Sequence, residues 1–262
     1  MFVILGIVLV AIVLTVVFLR KDISAEIDKV RISRSVALQQ KVDQVTPFVS
    51  DCVSSTVEDA ILKVFARGGY NSPKNAIEYE YYTIPLYFDK GKETIPTIDM
   101  IEKEIEKAVE GNINSCANFN ALKFPVTALK QPTADVTFGK KIAEASLEWQ
   151  LKIGTEEESA VVSEFSGETR ADLLTPYEHA IDLYNKQKNI KVLSLIDLAR
   201  LAKQKDYVLH FDMVGDAMVY LLTFNTTIIN KQPLVYTFAI RQEKEEAQGG
   251  SLVAGARSTA SS

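Results

Sequence analysis

Few residues in this sequence have the types and spacing that catalysis or metal binding requires. The 262 residues include two cysteines, two histidines and one tryptophan. A zinc site with four Cys and His ligands would use all four of those side chains, at spacings unlike the known patterns. His179, on a predicted helix, and His210, on a predicted strand, are therefore interpreted as structural. Phosphate-binding loops, dinucleotide fingerprints, nucleophile elbows, EF-hand loops and zinc-protease motifs do not occur in the sequence.

No catalytic residue, metal ligand or cofactor is predicted, and we do not expect an enzyme. Glu156, Glu157 and Glu158 form a charge run that is typical of a solvated turn, and Trp149 is expected in the core. A catalytic pair of carboxylates stays an open alternative, because sequence spacing does not show which carboxylates meet in the folded chain. The 29 basic and 34 acidic residues give a formal charge of −5, which argues against a nucleic-acid partner. No small-molecule substrate is identified.

The two cysteines are expected to pair with each other. Cys52 lies on the apolar face of a helix predicted to restart at Thr46-Pro47 and to end at Gly68-Gly69. Cys116 lies on the apolar side of the next predicted helix, from about Thr97 to Asn118. Both then point toward a common core, where a disulfide would contribute about 4 kcal/mol of stability. Two buried free thiols are the alternative, and export from the cytoplasm favours the disulfide.

The segment Met1–Leu19 is apolar and carries no charge. As a helix it would span roughly 28 Å, close to the hydrocarbon thickness of a bilayer. A cleaved signal peptide is the alternative, but the run is long for one and no A-x-A cleavage site follows. We therefore expect a retained membrane-type helix.

This helix is expected to continue to about Val45, because no Pro or Gly follows Leu19 until Pro47. Arg34 interrupts its apolar stripe and would need an acidic partner, such as Glu26 or Asp28 of a neighbour, inside a bundle. A stalk packed on its own head is the alternative to a helix bundled with its copies. The predicted assembly residues are Phe2, Ile4, Leu5, Val8, Val10, Ile12, Val16, Phe18, Ile23, Ile27, Val30 and Arg34.

The sequence gives conflicting signals about the side of the membrane on which the chain after Leu19 lies. Arg20 and Lys21 directly follow the apolar run and would keep the remainder in the cytoplasm by the positive-inside rule. The cysteines and the sequon Asn225-Thr226-Thr227 favour an exported protein with Asn225 as a glycosylation candidate. The conflict disappears if a short basic leader was removed ahead of Met1. We expect a location at the cell surface.

Residues 46–241 are predicted to form the head and 242–262 a small, polar tail, while 1–45 form the apolar helix and stalk. Apolar and polar residues alternate from Ala143 to Ile153, which predicts a half-buried strand. The predicted fold class is α+β, with a long N-terminal hydrophobic helix carrying an extracytoplasmic head of helices and antiparallel strands.

Three further patterns predict local structure in the head. Ile77–Phe88 is rich in aromatic residues and is interpreted as one strand, with Pro85 at an edge or a bend. Thr175-Pro176-Tyr177-Glu178 predicts a capping box at a helix start. Gly215-Asp216 predicts a hairpin turn.

Several short segments resemble a family of archaeal membrane-anchored surface proteins. These segments are Phe2–Val8, Cys52 with Gly68-Gly69-Tyr70, Asn114-Ser115-Cys116 and Tyr236-Thr237-Phe238-Ala239. The resemblance implies an exported, anchored protein whose start is similar to that of archaeal type IV pilins, and it implies no catalytic residue. Two features depart from pilins. The apolar segment lacks the early Glu of bacterial pilins, and the predicted head is α+β rather than all-β.

These observations predict a non-enzymatic subunit of an extracellular filament. Its copies would associate through the N-terminal helix, which would lie in the membrane before assembly. The alternative is a single-pass surface protein whose head binds a ligand or an envelope partner.

Overall fold

The computed structural model describes residues 36–188 and 195–242 of the chain. The described helices are α1 (36–65), α2 (Ile98–Cys116), α3 (Leu174–Gln187) and α4 (Leu195–Gln204). The described strands are β1 (Ala76–Tyr79), β2 (Tyr82–Asp89), β3 (Lys92–Glu93), β4 (Val126–Ala128), β5 (Thr133–Phe138), β6 (Ala143–Gly154), β7 (Ser159–Thr169), β8 (Val208–Val214), β9 (Ala217–Ile229) and β10 (Gln232–Arg241).

The described strands form two sheets. In the six-stranded sheet the order is β1-β2-β10-β9-β8, and β3 also pairs with β2. The smaller sheet is built around β6, which pairs with β4 and β5 along one side and with β7 along the other. One large apolar core joins α1, α2 and α3 to the inner faces of both sheets.

The predicted fold class is wrong as it was stated. Helices and sheets do make an α+β protein, but the described residues include no long apolar N-terminal helix, and the first described helix is 36–65. None of the helices in the described ranges is long and apolar enough to cross a membrane. Residues 1–35, where the apolar segment falls, lie outside the described residues. The strands are also not all antiparallel, because β10 pairs with β2 in parallel.

Helix α1 runs through Thr46-Pro47 without the predicted restart. Proline removes one backbone hydrogen bond from a helix interior. Beside it, the Thr46 hydroxyl donates to the carbonyl of Val42 at 3.1 Å. Val45 and Val49 are both fully buried on either side of Pro47. Packing of this continuous apolar face therefore outweighs the local helix-start signal.

Two other local predictions are corrected. The segment predicted as one strand is the hairpin of β1 and β2, which turns at Glu80-Tyr81 with Glu80 at φ +53°. The predicted capping box is wrong because α3 begins one residue before Thr175, whose N–H donates to the Asp172 carboxylate at 3.0 Å. The hairpin at Gly215-Asp216 is confirmed.

The turn after α1, residues 66–69, contacts two strands of the large sheet. Strands β2 and β10 pair only from Leu86 and Ala239 onward. Just before that point, Thr237 donates its hydroxyl to the carbonyl of Ala66 at 2.9 Å. A Cβ on Gly68, which has φ +57°, would collide with Thr237 and with Pro85 of β2.

A buried hydroxyl relay holds the same turn from the core side. Tyr87 donates its hydroxyl to the carbonyl of Gly68 at 2.8 Å, which leaves the Tyr236 hydroxyl to donate to Tyr87 at 2.6 Å. Burial raises the pKa of both tyrosines well above the ordinary value. Because both rings are fully buried, each hydroxyl needs such a partner.

We expect Gly68→Ala to lower the free energy of unfolding by about 2 kcal/mol or more, because left-handed backbone and a collision with two strands coincide there. Gly111→Ala is the matched control. Gly111 lies in α2 with open space around it, so alanine should stabilise by about 0.5–1 kcal/mol. Denaturant unfolding of both variants measures the difference. Equal effects at the two glycines would contradict the contact of the turn after α1 with β2 and β10.

Candidate functional site

The structure brings Cys52 and Cys116 together as the predicted disulfide, with 5.6 Å between their Cα atoms. The bond links α1 to the last residue of α2. Cys52 is only 6% exposed, but Cys116 is exposed at the rim of the fold. The prediction that both cysteines face a common core is therefore wrong for Cys116. A reductant can reach this end of the bond in the folded protein.

We expect the native disulfide to be reducible without denaturant, because Cys116 is exposed. The bond closes a loop with a sequence separation of 64 residues, so replacing both cysteines by alanine should cost about 4 kcal/mol in the chain-entropy model. Thiol labelling with mass spectrometry, with and without reductant, follows the bond. Denaturant unfolding follows its stability. Free thiols in the untreated protein would contradict this assignment.

Three glutamates of α2 form a ladder along the outer edge of β5. Glu102, Glu106 and Glu110 lie four residues apart and therefore share one face of the helix. Their carboxylates accept the backbone N–H groups of Phe138, Val136 and Ala134, at distances of 3.0, 3.2 and 3.0 Å, respectively. The helix thus satisfies the donors that a sheet edge normally leaves open.

The middle carboxylate of this ladder is the most buried one. Glu106 is 7% exposed and also accepts from the Lys103 ammonium at 2.9 Å. At the end of the ladder, burial raises the pKa of the Glu102 carboxyl, and the hydrogen bond from Phe138 opposes that rise. Sequence reasoning missed the ladder. Its signal was the repeated Glu spacing on the polar side of α2.

We expect Glu106→Ala to lower the free energy of unfolding by about 1–3 kcal/mol, because the N–H of Val136 is left buried without an acceptor. Glu106→Gln keeps an acceptor oxygen and should cost less. Glu144→Ala, at an exposed position of β6, should stay within about 0.5 kcal/mol of the wild type. Denaturant unfolding and hydrogen exchange of the Val136 amide report the outcome. Equal losses in the alanine and glutamine variants would argue against the ladder.

Along the opposite edge of this sheet, β7, no helix of the described ranges supplies such cover. Strand β7 pairs with β6 and with no other described strand. Helix α1 packs beneath it at Gly167, where a Cβ would lie 2.7 Å from the backbone nitrogen of Ser54. A groove of two adjoining depressions, about 600 and 550 Å³, lies over β6 and β7 and reaches α1 beside this edge. The depressions share Ser146 and Ser166, and the smaller one also extends to Asp135 and Thr137 of β5.

The groove and the solvent face beside it are acidic. In register, Glu144 faces Glu168 and Glu148 faces Glu164 across β6 and β7. Like charges directly opposite on neighbouring strands are destabilising. None of the lysines and arginines in the described ranges lines either depression. Arg170 reaches Glu168 from outside at 3.6 Å, with both side chains exposed.

A cluster of polar side chains joins β1 and β8, the two end strands of the large sheet. The Tyr79 hydroxyl on β1 lies 3.1 Å from the Asp212 carboxylate and 3.1 Å from Nε2 of His210, both on β8. Since β1 and β8 are at opposite ends of the strand order, this contact curls the sheet over its outer face. A small second core is enclosed there. His210 therefore belongs to a surface contact, in line with its predicted structural role.

The remaining residues considered in the sequence analysis do not form a cluster. Trp149 is 1% exposed and packs against Phe119. His179 is half-buried beside Tyr207 and Phe224, and burial lowers its pKa. Glu156 pairs with Lys152 in the exposed turn after β6. In the described ranges, no three His, Cys, Asp or Glu side chains are grouped to hold a metal ion.

Asn225 is exposed on β9. The register of β9 and β10 shifts between Pro233 and Leu234, so the residues between Phe224 and Ile228 have no strand partner there. Thr227 of the same sequon is 7% exposed, and its hydroxyl lies 3.5 Å from the carbonyl of Asp172. Glycosylation of Asn225 stays a prediction.

The predicted assembly residues, from Phe2 to Arg34, lie outside the described residues. The nearest described residues are the first turns of α1, and Val36 is 52% exposed.

Comparison with protein families finds no family that matches this chain. Comparison with curated proteins finds no match either. The resemblance to archaeal surface proteins stays a prediction.

Proposed function

We propose that this protein is a non-enzymatic structural subunit of an extracellular filament similar to a type IV pilus. Copies would associate through their apolar N-terminal segments, and the α+β heads would face outward. One observation carries the proposal: the first nine described residues of α1, 36–44, contain no buried side chain, and burial begins at Val45. The chain therefore enters the head through a mostly exposed stretch of helix, in which Val42 is partly buried against the core, and the apolar segment precedes that stretch.

The hydrophobic effect supports association of this segment. Residues Met1–Leu19 carry no charge, and exposing such a run to water costs about 25 cal/mol for each Å² of apolar surface. Lipid or other copies of the same segment can remove that surface from water. The Cys52–Cys116 disulfide favours an oxidising compartment and so supports a place outside the cytoplasm.

A second candidate is a single-pass surface protein whose head binds an envelope partner. The open acidic groove along β7 favours it, because the groove is available in a single copy.

Electron microscopy of material sheared from expressing cells tests the first candidate, with mass spectrometry of the N-terminus. We expect filaments that contain this chain. The double variant Val8→Asp and Val10→Asp should abolish them, because two carboxylates in the apolar run oppose its burial. Glu178→Lys, an exposed change on α3, is the control and should leave filaments intact.

Fractionation of the same cells separates the two candidates. Chain found only in membranes, with no filaments, would overturn the filament proposal and favour the anchored protein. Filaments that persist in the double aspartate variant would show that another part of the chain drives assembly.

A further inference from the structure

The two edges of the smaller sheet differ in a way that points to binding. At β5, the glutamates of α2 accept the outward N–H groups. At β7, no residue of the described ranges makes a hydrogen bond to the outward backbone along the strand. The strand runs from Ser159 to Thr169, longer than an ordinary strand. An edge of this length is a template for another extended chain.

The residues around the β7 edge restrict what such a chain can be. On the solvent face, the strand presents Glu164, Ser166 and Glu168, and β6 adds Glu144 and Glu148 behind them. A strand added beside β7 would place every second side chain next to these carboxylates. Lysine or arginine at those positions would relieve the repulsion between the paired glutamates, whereas acidic residues would increase it.

We propose that the free edge of β7 binds an extended segment of a partner protein that carries lysine or arginine at alternate positions. The segment adds a strand to the sheet, its backbone pairs with β7, and its basic side chains lie over the acidic face. The groove beside β7 is lined by the small hydroxyl residues Thr46, Ser50 and Ser54 of α1. Those short side chains leave room for the inward side chains of the segment. This site goes beyond the filament proposal and does not rest on it.

A second copy of this chain fits the edge poorly. If two β7 strands paired antiparallel about Ser166, Glu164 of one copy would face Glu168 of the other. Pairing about Glu164 would set that carboxylate against itself. The acidic residues therefore oppose self-association at this edge while they admit a basic partner, which is a known way to protect sheet edges.

Peptide binding to the full-length protein in an uncharged detergent tests the site. The probe is a fluorescent ten-residue peptide in which lysine alternates with threonine and valine. A peptide of the same composition with its lysines in one block controls for charge. Anisotropy gives the dissociation constants, and hydrogen exchange of the β7 amides reports backbone pairing. We expect the alternating peptide to bind about tenfold more tightly than the block peptide, with slowed exchange in residues 160–168.

Charge variants of the protein complete the test. Glu164→Lys with Glu168→Lys should weaken binding of the alternating peptide about tenfold or more. Glu78→Lys with Glu178→Lys changes the net charge equally at exposed positions on β1 and α3 and should leave binding nearly unchanged. Equal binding of both peptides without slowed exchange in β7 would overturn the proposal in favour of unspecific charge attraction. Slowed exchange that grows with protein concentration alone would overturn it in favour of a second copy.

Discussion

The contact of the turn after α1 with both β2 and β10 is the constraint on which the rest of the head depends. It brings one helix end, two strands and the buried Tyr87–Tyr236 hydroxyl pair to one point. Since β2 and β10 are far apart in the chain and run parallel, no hairpin can set their register. The turn after α1 contacts both strands instead, and a glycine at position 68 allows this close approach, since a Cβ there would collide with Thr237 and Pro85.

From that point the helix organises both sheets. Its middle passes beneath β7 at Ser54 and carries Cys52, which holds α2. Helix α2 in turn covers the edge of β5. The smaller sheet is therefore bounded by a helix along one edge and supported by another helix beneath its opposite edge, which no described residue pairs with. This asymmetry follows from the order of the elements along α1, and it leaves one surface of the head available for an added strand.

The sequence predicted those features that depend on local pattern. Alternation over Ala143–Ile153 predicted β6 within one residue, and Gly215-Asp216 predicted the hairpin of β8 and β9. The helix starts predicted at Pro47 and Thr175 were wrong. Burial of Val45 and Val49 outweighed the first signal, and the hydrogen bond to the Asp172 carboxylate replaced the second. The glutamate spacing on α2 is visible in the sequence, but the strand edge that it meets is not. The acidic groove likewise depends on residues that only tertiary structure brings together. The cysteine pairing was predicted from the helix patterns, but the exposure of Cys116 was not.

In the glutamate ladder, the repeat distance along the helix differs from the repeat distance along the strand. Four residues of helix advance about 6.0 Å, whereas two residues of strand advance about 6.8 Å. Each rung therefore shifts by roughly 0.8 Å relative to the next, and the flexible Glu side chains absorb this over three rungs. A fourth rung would pair Asn114 with Pro132, which has no N–H to donate. A helix can hold a strand edge in this way only over a short distance, and here the ladder stops at Pro132, directly before β5 begins.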